Sequence, residues 1–199
     1  MIVNSRRDRN ALAALARISL LLALSGCSSL PPAPRAILDE QTGVTTTVVA
    51  APFSFARVHN DGSASARDLL TLVAVEKDVA GHYSELLLLY RWSVVFRGYA
   101  PDAVASVGPV LIRADEHEIV LQPLDQLPVN LSHRDQFFEP LEAGVAVAAY
   151  AVDFNTLRSI AASHELKVSL PQDLPDAPFT LSRDGRPALA QFVKELNGL

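Results

Sequence analysis

The sequence predicts an α+β fold: an antiparallel β-sheet or β-sandwich with two short helices in the C-terminal half. Three observations predict it. From residue 43 the chain consists of short β-branched and apolar runs separated by turn residues. Two pairs of these runs are close enough to form hairpins, which makes the sheet antiparallel. The last fifty residues change to the 3.6-residue apolar period of helices.

The first strands are predicted on either side of Pro52. Residues 44–49 (VTTTVV) are rich in β-branched side chains, and Pro52 ends that run because it cannot donate a ladder hydrogen bond. Residues 53–57 continue as a strand with both phenylalanines on one face. Residues 59–63 (HNDGS) have the composition of a turn.

The strongest strand predictions are residues 69–75 and 85–96, joined by a hairpin loop. Gly81 in that loop is available for a positive φ angle. Tyr90 and Trp92 share one face of the second strand. An exposed aromatic pair could bind glycan or peptide, but such a pair more often belongs to a core.

A second hairpin is predicted from residues 110–114 and 117–122 around a tight Asp115-Glu116 turn. Residues 123–140 are then expected to be irregular. Residues 144–152 (GVAVAAYAV) form another predicted strand, built of small apolar residues.

The C-terminal part contains both predicted helices. Asp153 can cap a helix that runs to about His164, and alternation through residues 166–170 indicates a strand after it. A short strand at residues 179–181 precedes the second helix, which begins with Pro187 in its first turn. Its apolar side chains recur at helical spacing and must pack on another element: Leu189, Phe192, Val193 and Leu196.

The N-terminus has the pattern of an export signal. A basic region extends to Arg17, an apolar run covers residues 18–24, and the small residues Ser25 and Gly26 precede Cys27. The run is shorter than the roughly 20 apolar residues that span a bilayer. Extending the run backward places Arg17 in its middle, and inserting a central Arg into a membrane costs about 2.5–3.5 kcal/mol. We therefore expect a signal peptide, residues 1–26, rather than a membrane-spanning anchor.

Leu24, Ser25, Gly26 and Cys27 together resemble the lipobox of bacterial lipoproteins. The resemblance implies diacylglycerol on the Cys27 thiol, cleavage between Gly26 and Cys27, and acylation of the freed amine with a fatty acid such as palmitate. Two or more acyl chains give stable membrane attachment. Ser28 resembles the outer-membrane sorting pattern of that class. The expected location is therefore the outer membrane, facing the periplasm.

Three segments are expected: the signal peptide 1–26, the lipidated Cys27 with a Pro-rich tether over 27–42, and a single globular domain over 43–199. Proline-rich chain favours an extended conformation, which suits a tether. Residues 43–96, with 39–43 before them, are similar to uncharacterised proteobacterial lipoproteins. That similarity implies an envelope location and no particular activity.

Net charge and cysteine content limit the classes of partner and the chemistry that can be expected. Beyond residue 26 the chain has 13 basic and 21 acidic residues, a net charge of −8. An acidic body without a basic stripe argues against nucleic acid as a partner and against docking to anionic lipid. Membrane contact is therefore expected through the lipid anchor. Cys27 is the only cysteine, which leaves no internal disulfide and no thiol for catalysis once it is alkylated.

No motif predicts catalysis, a cofactor or a metal. Asp115-Glu116-His117-Glu118 looks metal-binding, but alternate strand residues point to opposite faces, so a solvated hairpin turn is expected. His133-Arg134-Asp135 echoes a kinase tripeptide without the accompanying glycine loop, and no Gly-x-Ser-x-Gly is present.

Two functions remain open. The first is a non-catalytic periplasmic module that binds an envelope protein, glycan or lipid near the membrane. The alternative is an envelope hydrolase with a dispersed site. In that case any of His59, His82, His117 or His133 would meet carboxylates only in the folded chain. Enzyme activity is left undecided, with the binding module favoured.

Overall fold

The computed structural model describes residues 32–60, 65–97, 107–128, 145–171 and 178–197, all within one compact unit. These ranges contain ten strands and two helices. The strands are β1 (Arg35–Asp39), β2 (Val44–Val48), β3 (Phe53–Asn60), β4 (Ser65–Val79), β5 (His82–Arg97), β6 (Val110–Ala114), β7 (His117–Leu121), β8 (Ala146–Ala151), β9 (Leu166–Ser169) and β10 (Thr180–Arg183). The helices are α1 (Phe154–Ala162) and α2 (Arg186–Leu196).

The long hairpin β4–β5 forms the centre of a seven-stranded antiparallel sheet. One edge of β4 pairs with β5 along its whole length. The other edge is shared, because β3 pairs with the first half of β4 and β2 with the second half. β1 lies outside β2, β10 outside β3, and β8 outside β5.

A second sheet, in the order β7-β6-β9, adjoins the first sheet at two points. Phe179, just before β10, bridges Val168 of β9, and Pro123, just after β7, bridges Tyr150 of β8. The strand pairing therefore continues from one sheet into the other at both ends. One hydrophobic core includes residues of both sheets and of both helices.

The centre of β4 and β5 is buried on both faces. Residues 70, 72 and 74 of β4 point to one face and residues 73 and 75 to the other, and all five are buried. This double burial explains why the sequence there is a continuous apolar run rather than an alternating one. Phe53 and Phe55 lie opposite Leu72 and Leu70, so they share the face of the even-numbered residues of β4.

The β4–β5 turn has two residues with positive φ, Ala80 at 53° and Gly81 at 84°. This is the geometry of a type I′ turn, which matches the twist of the two strands. The sequence predicts Gly81 in this role. Ala80 is the unexpected member, because its Cβ disfavours the left-handed region.

Both helices start as their caps predict. The carboxylate of Asp153 accepts a hydrogen bond from the Thr156 N–H (2.7 Å), and Leu157 and Ile160 are buried. Gly185 and Pro187 begin α2, whose stripe Leu189, Phe192 and Val193 is buried. Helix α1 ends at Ala162, two residues earlier than predicted, because Ser163 adopts an extended conformation.

The α+β fold class is confirmed, and the differences are at the N-terminal end. Strand pairing begins at Arg35 rather than at residue 43, since β1 pairs with β2 inside the segment assigned to the tether. In the predicted turn 59–63, residues 59 and 60 belong to β3 and the others lie outside the described ranges. Tyr90 is buried and Trp92 packs against the core, as a core pair should.

Candidate functional site

A buried charged cluster lies across β3, β4 and β5. Arg57 is directly opposite Asp68, and Asp68 is directly opposite Ser93. The Asp68 carboxylate accepts hydrogen bonds from Arg57 Nη2 (2.7 Å) and from Ser93 Oγ (2.6 Å), while Arg91 Nη2 lies 4.0 Å away. Only 8% of Arg57 and 4% of Asp68 are exposed. The cluster therefore places one ion pair in a weakly screened interior.

The Arg57 guanidinium also lies over the ring of Phe179, 4.3 Å from its centroid. This cation–π contact connects β3 to the segment that joins the two sheets. Arg57, Asp68 and Arg91 each make at least one further interaction. Because breaking a buried pair leaves an uncompensated charge, the cluster fixes the alignment of three strands. We interpret it as structural.

A second group of acids lies near the other end of β4, on the face that carries Phe53 and Phe55. Glu76 is flanked by Thr47 of β2 on one side and Glu85 of β5 on the other, and Asp78 follows two residues later. We call Glu76, Asp78 and Glu85 the acidic row. Directly opposite residues have Cβ atoms about 5 Å apart, so the charges repel one another at short range.

Glu76 is the unusual member of the acidic row. Only 5% of it is exposed, and within the described part of the chain its carboxylate has no hydrogen-bond or ion-pair partner. Burial raises its pKa above the ordinary value, and repulsion from Glu85 and then Asp78 raises it further. These effects disfavour the ionised form of the Glu76 carboxyl group.

A cleft of about 460 Å³ opens beside the acidic row, between β1–β2 and the last turns of α2. We call it the α2 cleft. Its lining consists of Pro34, Ala36, Thr47, Gln191, Lys194, Glu195 and Leu196. Thr47 belongs both to this lining and to the row of cross-strand neighbours that contains Glu76. The carboxylate is therefore one strand away from the cleft.

Two exposed apolar side chains continue the same face beyond the acidic row. Leu38 of β1 and Tyr83 of β5 are 60% and 54% exposed. They lie on either side of Thr45 and Asp78 in the next cross-strand row. The acids, the cleft and these two separate apolar side chains therefore lie at the same end of the sheet.

A polar junction joins the end of α1 to the start of α2. Arg186 donates to the carbonyls of Ser163 (2.7 Å) and His164 (2.5 Å) and also to the carboxylate of Asp184. Asp115 accepts from the N–H groups of His164 and Glu165 (2.9 and 2.8 Å). The backbone N–H groups lower the pKa of Asp115, and the Arg186 side chain lowers that of Asp184. These contacts satisfy the open end of a helix, which is a structural task.

The histidines proposed for a hydrolase do not meet in the described part of the chain. His82 and His117 are exposed at the ends of elements, and His133 and the His59 side chain lie outside what is described. Asp115, Glu116, His117 and Glu118 form an exposed hairpin turn as predicted, with Glu118 paired to Arg113. Among the described residues, no group of His, Cys, Asp and Glu is placed to hold a metal ion.

The predicted lipobox, Leu24, Ser25, Gly26 and Cys27, lies outside the described residues, so lipidation remains a prediction. No helix among the described elements is long and apolar enough to cross a membrane.

The acidic row was missed from the sequence. Its only sequence signal is Glu76, an acid that directly follows the apolar run 69–75 on a predicted strand. Its cross-strand neighbour Thr47 in β2 is distant in the sequence, so the environment of Glu76 appears only in the folded chain.

Comparison with known proteins finds none that is similar to this chain. No protein-family model matches the chain, and neither the curated proteins nor the solved structures contain a significant match.

Proposed function

We propose that this protein is an outer-membrane-anchored lipoprotein whose folded domain is a non-catalytic binding module facing the periplasm. One observation carries the proposal: the only cysteine ends a lipobox-like sequence directly after a short apolar run with a basic start. The geometry of the domain agrees with that assignment. Strand pairing begins at Arg35, so only a short tether follows Cys27.

The binding role is supported by the end of the sheet that carries the α2 cleft. Pro34 and Ala36 line this cleft and are among the first described residues, so the cleft lies beside the point where the tether enters the domain. A domain held close to a membrane presents that end to the membrane or to its neighbours. The exposed positions of His82 and His117 give no support to the hydrolase alternative.

The anchor is tested by metabolic labelling with radioactive palmitate. Wild-type protein should incorporate label and appear as a processed chain. Cys27→Ala should lose the label and accumulate as uncleaved precursor. Ser29→Ala is the matched control, because it changes a nearby polar residue but leaves the lipobox intact. Label retained by Cys27→Ala would contradict the proposal.

A further inference from the structure

We propose that the outer edge of β1 is a homodimer interface, at which two copies of this chain pair β1 with β1 in antiparallel orientation. The pairing has a two-fold axis at Ile37, and the sheet continues through it from one copy into the other. This inference goes beyond the proposed function, because it names a second copy of the chain as a partner.

The first reason is the open edge of the seven-stranded sheet. β1 is the last strand on its side: it pairs with β2, and no other described strand pairs with it. Arg35, Ala36 and Leu38 are exposed and belong to both faces of β1, and Leu38 is 60% exposed. The backbone N–H and C=O groups along such an edge can pair with a further strand, which is how proteins recognise one another by strand addition.

The second reason is that the sequence of β1, RAILD, is complementary to itself when it is antiparallel. With Ile37 facing Ile37 of the second copy, Arg35 faces Asp39 of the second copy, and the reverse pair forms at the other end. Ala36 faces Leu38, so a small and a large apolar side chain meet. Opposite charges at facing positions stabilise a strand pair, whereas like charges there destabilise it. The charge pattern therefore favours a second copy as the partner.

The position of Asp39 suits this role. Its carboxylate accepts hydrogen bonds from the backbone N–H of Gln41 (3.0 Å) and the hydroxyl of Thr42 (2.7 Å). These donors belong to the turn after β1 and hold the carboxylate at the end of the strand. A carboxylate has two oxygens that accept several hydrogen bonds, so Arg35 of the second copy would add a charge-assisted one.

The register also fits the hydrogen-bonding pattern of an edge strand. Alternate residues of such a strand direct their backbone groups outward, and the others direct them to the neighbouring strand. In the proposed register, facing residues are both odd-numbered or both even-numbered, so the outward groups of one copy meet those of the other. Shifting one copy by two residues keeps this match but loses both pairs of Arg35 with Asp39.

The third reason is that the proposed anchor would concentrate the copies. Five facing residue pairs form a small interface, which is expected to be weak in solution and stronger when both copies are attached to one membrane. Pro34 is the seventh residue after Cys27, so the tether spans up to about 22 Å. The two copies of Pro34 would lie about 20 Å apart along the paired strands. Both tethers can therefore reach the same membrane.

Disulfide crosslinking of the processed full-length protein in liposomes tests the pairing. Cys27 is the only cysteine, so once it is lipidated an introduced cysteine is the only free thiol. Ile37→Cys should form a covalent dimer on mild oxidation, because facing residues have Cα atoms about 4.5–5.5 Å apart, within reach of a disulfide. Leu38→Cys is the matched control. Its position is more exposed, but the two copies of residue 38 are diagonal neighbours about 8 Å apart. Ile37→Cys should give at least fivefold more dimer.

Charge exchange in the Ile37→Cys background tests the register. Arg35→Asp should reduce the dimer at least fivefold, because acids then face each other at both ends of the strand pair. Asp39→Arg should do the same through facing arginines. Mixing the two variants in one liposome preparation should restore the dimer, since each acid of one variant then faces an arginine of the other. Glu40→Lys is the control, because it changes an exposed charge outside the five facing pairs, and it should leave the dimer unchanged.

Three results would overturn the proposal: no dimer from Ile37→Cys, equal crosslinking of Ile37→Cys and Leu38→Cys, or no recovery of the dimer when folded charge variants are mixed. Thermal melts identify the folded variants, and the comparison of the two cysteine positions stands even if Asp39→Arg does not fold. Adducts of Ile37→Cys with a different protein in intact envelopes, without a dimer in liposomes, would also overturn it and would indicate a strand from another protein.

The dimer and the anchor fail separately. Palmitate labelling of Cys27 tests the anchor alone. The ratio of crosslinking between Ile37→Cys and Leu38→Cys tests the dimer alone, because both variants contain the same Cys27. If Cys27 is not lipidated, the same ratio is measured with the soluble protein at high concentration.

Discussion

At the residue scale, an unusual feature of the described part of the chain is Glu76, a largely buried glutamate with a second acid directly opposite it. Glu76 lies among Thr47, Glu85 and Asp78, and none of these supplies a positive charge. Lys194 and Glu195 of α2 line the neighbouring cleft but are separated from Glu76 by Thr47. Repulsion among these acids therefore costs stability while all of them are ionised.

Replacing Glu76 by Gln should stabilise the protein at neutral pH by up to about 1 kcal/mol, because the amide removes a charge that Glu85 and Asp78 repel. The raised pKa fixes the sign of the pH dependence. The folded state binds the proton more tightly than the unfolded state, so wild-type stability should rise as the pH falls from neutral towards the ordinary value of 4.5.

Urea denaturation at neutral pH and at pH close to 5 measures both effects. The gain in stability on acidification should shrink in Glu76→Gln. It should persist in Glu116→Gln, which removes an exposed acid from the turn between β6 and β7. A Glu76→Gln protein that is less stable than the wild type at neutral pH would show that the carboxylate has a stabilising partner.

Removing the acid from the buried charged cluster should have the opposite effect on stability, because Asp68 is paired with Arg57. Asp68→Ala should destabilise the protein by about 3–5 kcal/mol, since it leaves the Arg57 guanidinium buried without its carboxylate. Arg67, the next residue in the sequence, points to the other face and is exposed, so Arg67→Ala should change the free energy of unfolding by less than about 0.5 kcal/mol. Chemical denaturation of both variants checks the difference. Similar losses in the two would contradict the assigned role of the cluster.

At the element scale, the start of α2 depends on close approach to the bend between β2 and β3. A Cβ added to Gly185 would lie 2.8 Å from the backbone nitrogen of Phe53 and 2.9 Å from the carbonyl carbon of Pro52. Both contacts are with backbone, which cannot rotate away. The glycine is therefore required by packing, and its φ of −94° is open to any residue.

Gly185→Ala should consequently destabilise the protein by about 1–3 kcal/mol through overpacking. Ala190→Gly is a useful comparison on the exposed side of α2, where the expected loss of about 1 kcal/mol comes only from helix propensity. Thermal unfolding of both variants checks the prediction. A Gly185→Ala protein as stable as the wild type would mean that α2 can shift away from the bend.

The sequence predicts those elements whose signals are local. Both hairpins follow from turn residues between apolar runs, and α1 begins at Asp153 because a carboxylate there can bond the N–H of Thr156. Pairings between distant segments are not predictable in this way. β1 is only five residues long and is defined by its pairing with β2. The sharing of one β4 edge by β2 and β3 depends on the bend at residues 49–52.

The same limit applies to the candidate site. Arg57 and Asp68 are ordinary charged residues in the sequence until strand register places them opposite each other. Glu76 becomes unusual only when β2 and β5 flank it. The lipobox, in contrast, is a purely local pattern, so it is visible in the sequence and remains a prediction.

At the scale of the whole molecule, charge and anchor act together. Beyond residue 26 the net charge is −8, which weakens attraction to anionic lipid and leaves the lipid on Cys27 as the proposed attachment. The α2 cleft, beside the entry of the tether, would then face the membrane.

Membrane sorting provides a test at this scale. Within the lipoprotein class, Asp after the lipidated cysteine often retains the protein at the inner membrane, so Ser28→Asp should move the protein from the outer to the inner membrane fraction. Ser28→Asn, of similar size and uncharged, should remain in the outer membrane. Density-gradient fractionation of envelopes distinguishes the two. An unchanged distribution of Ser28→Asp would contradict the predicted sorting.

The most direct test of the central claim is the mass of the N-terminal peptide of the protein purified from membranes. The proposed lipoprotein should begin at Cys27 and carry the added mass of a diacylglycerol on the thiol and a fatty acid on the amine. A chain that begins at Met1, or one that begins near Cys27 with an unmodified thiol, would contradict the proposed anchor.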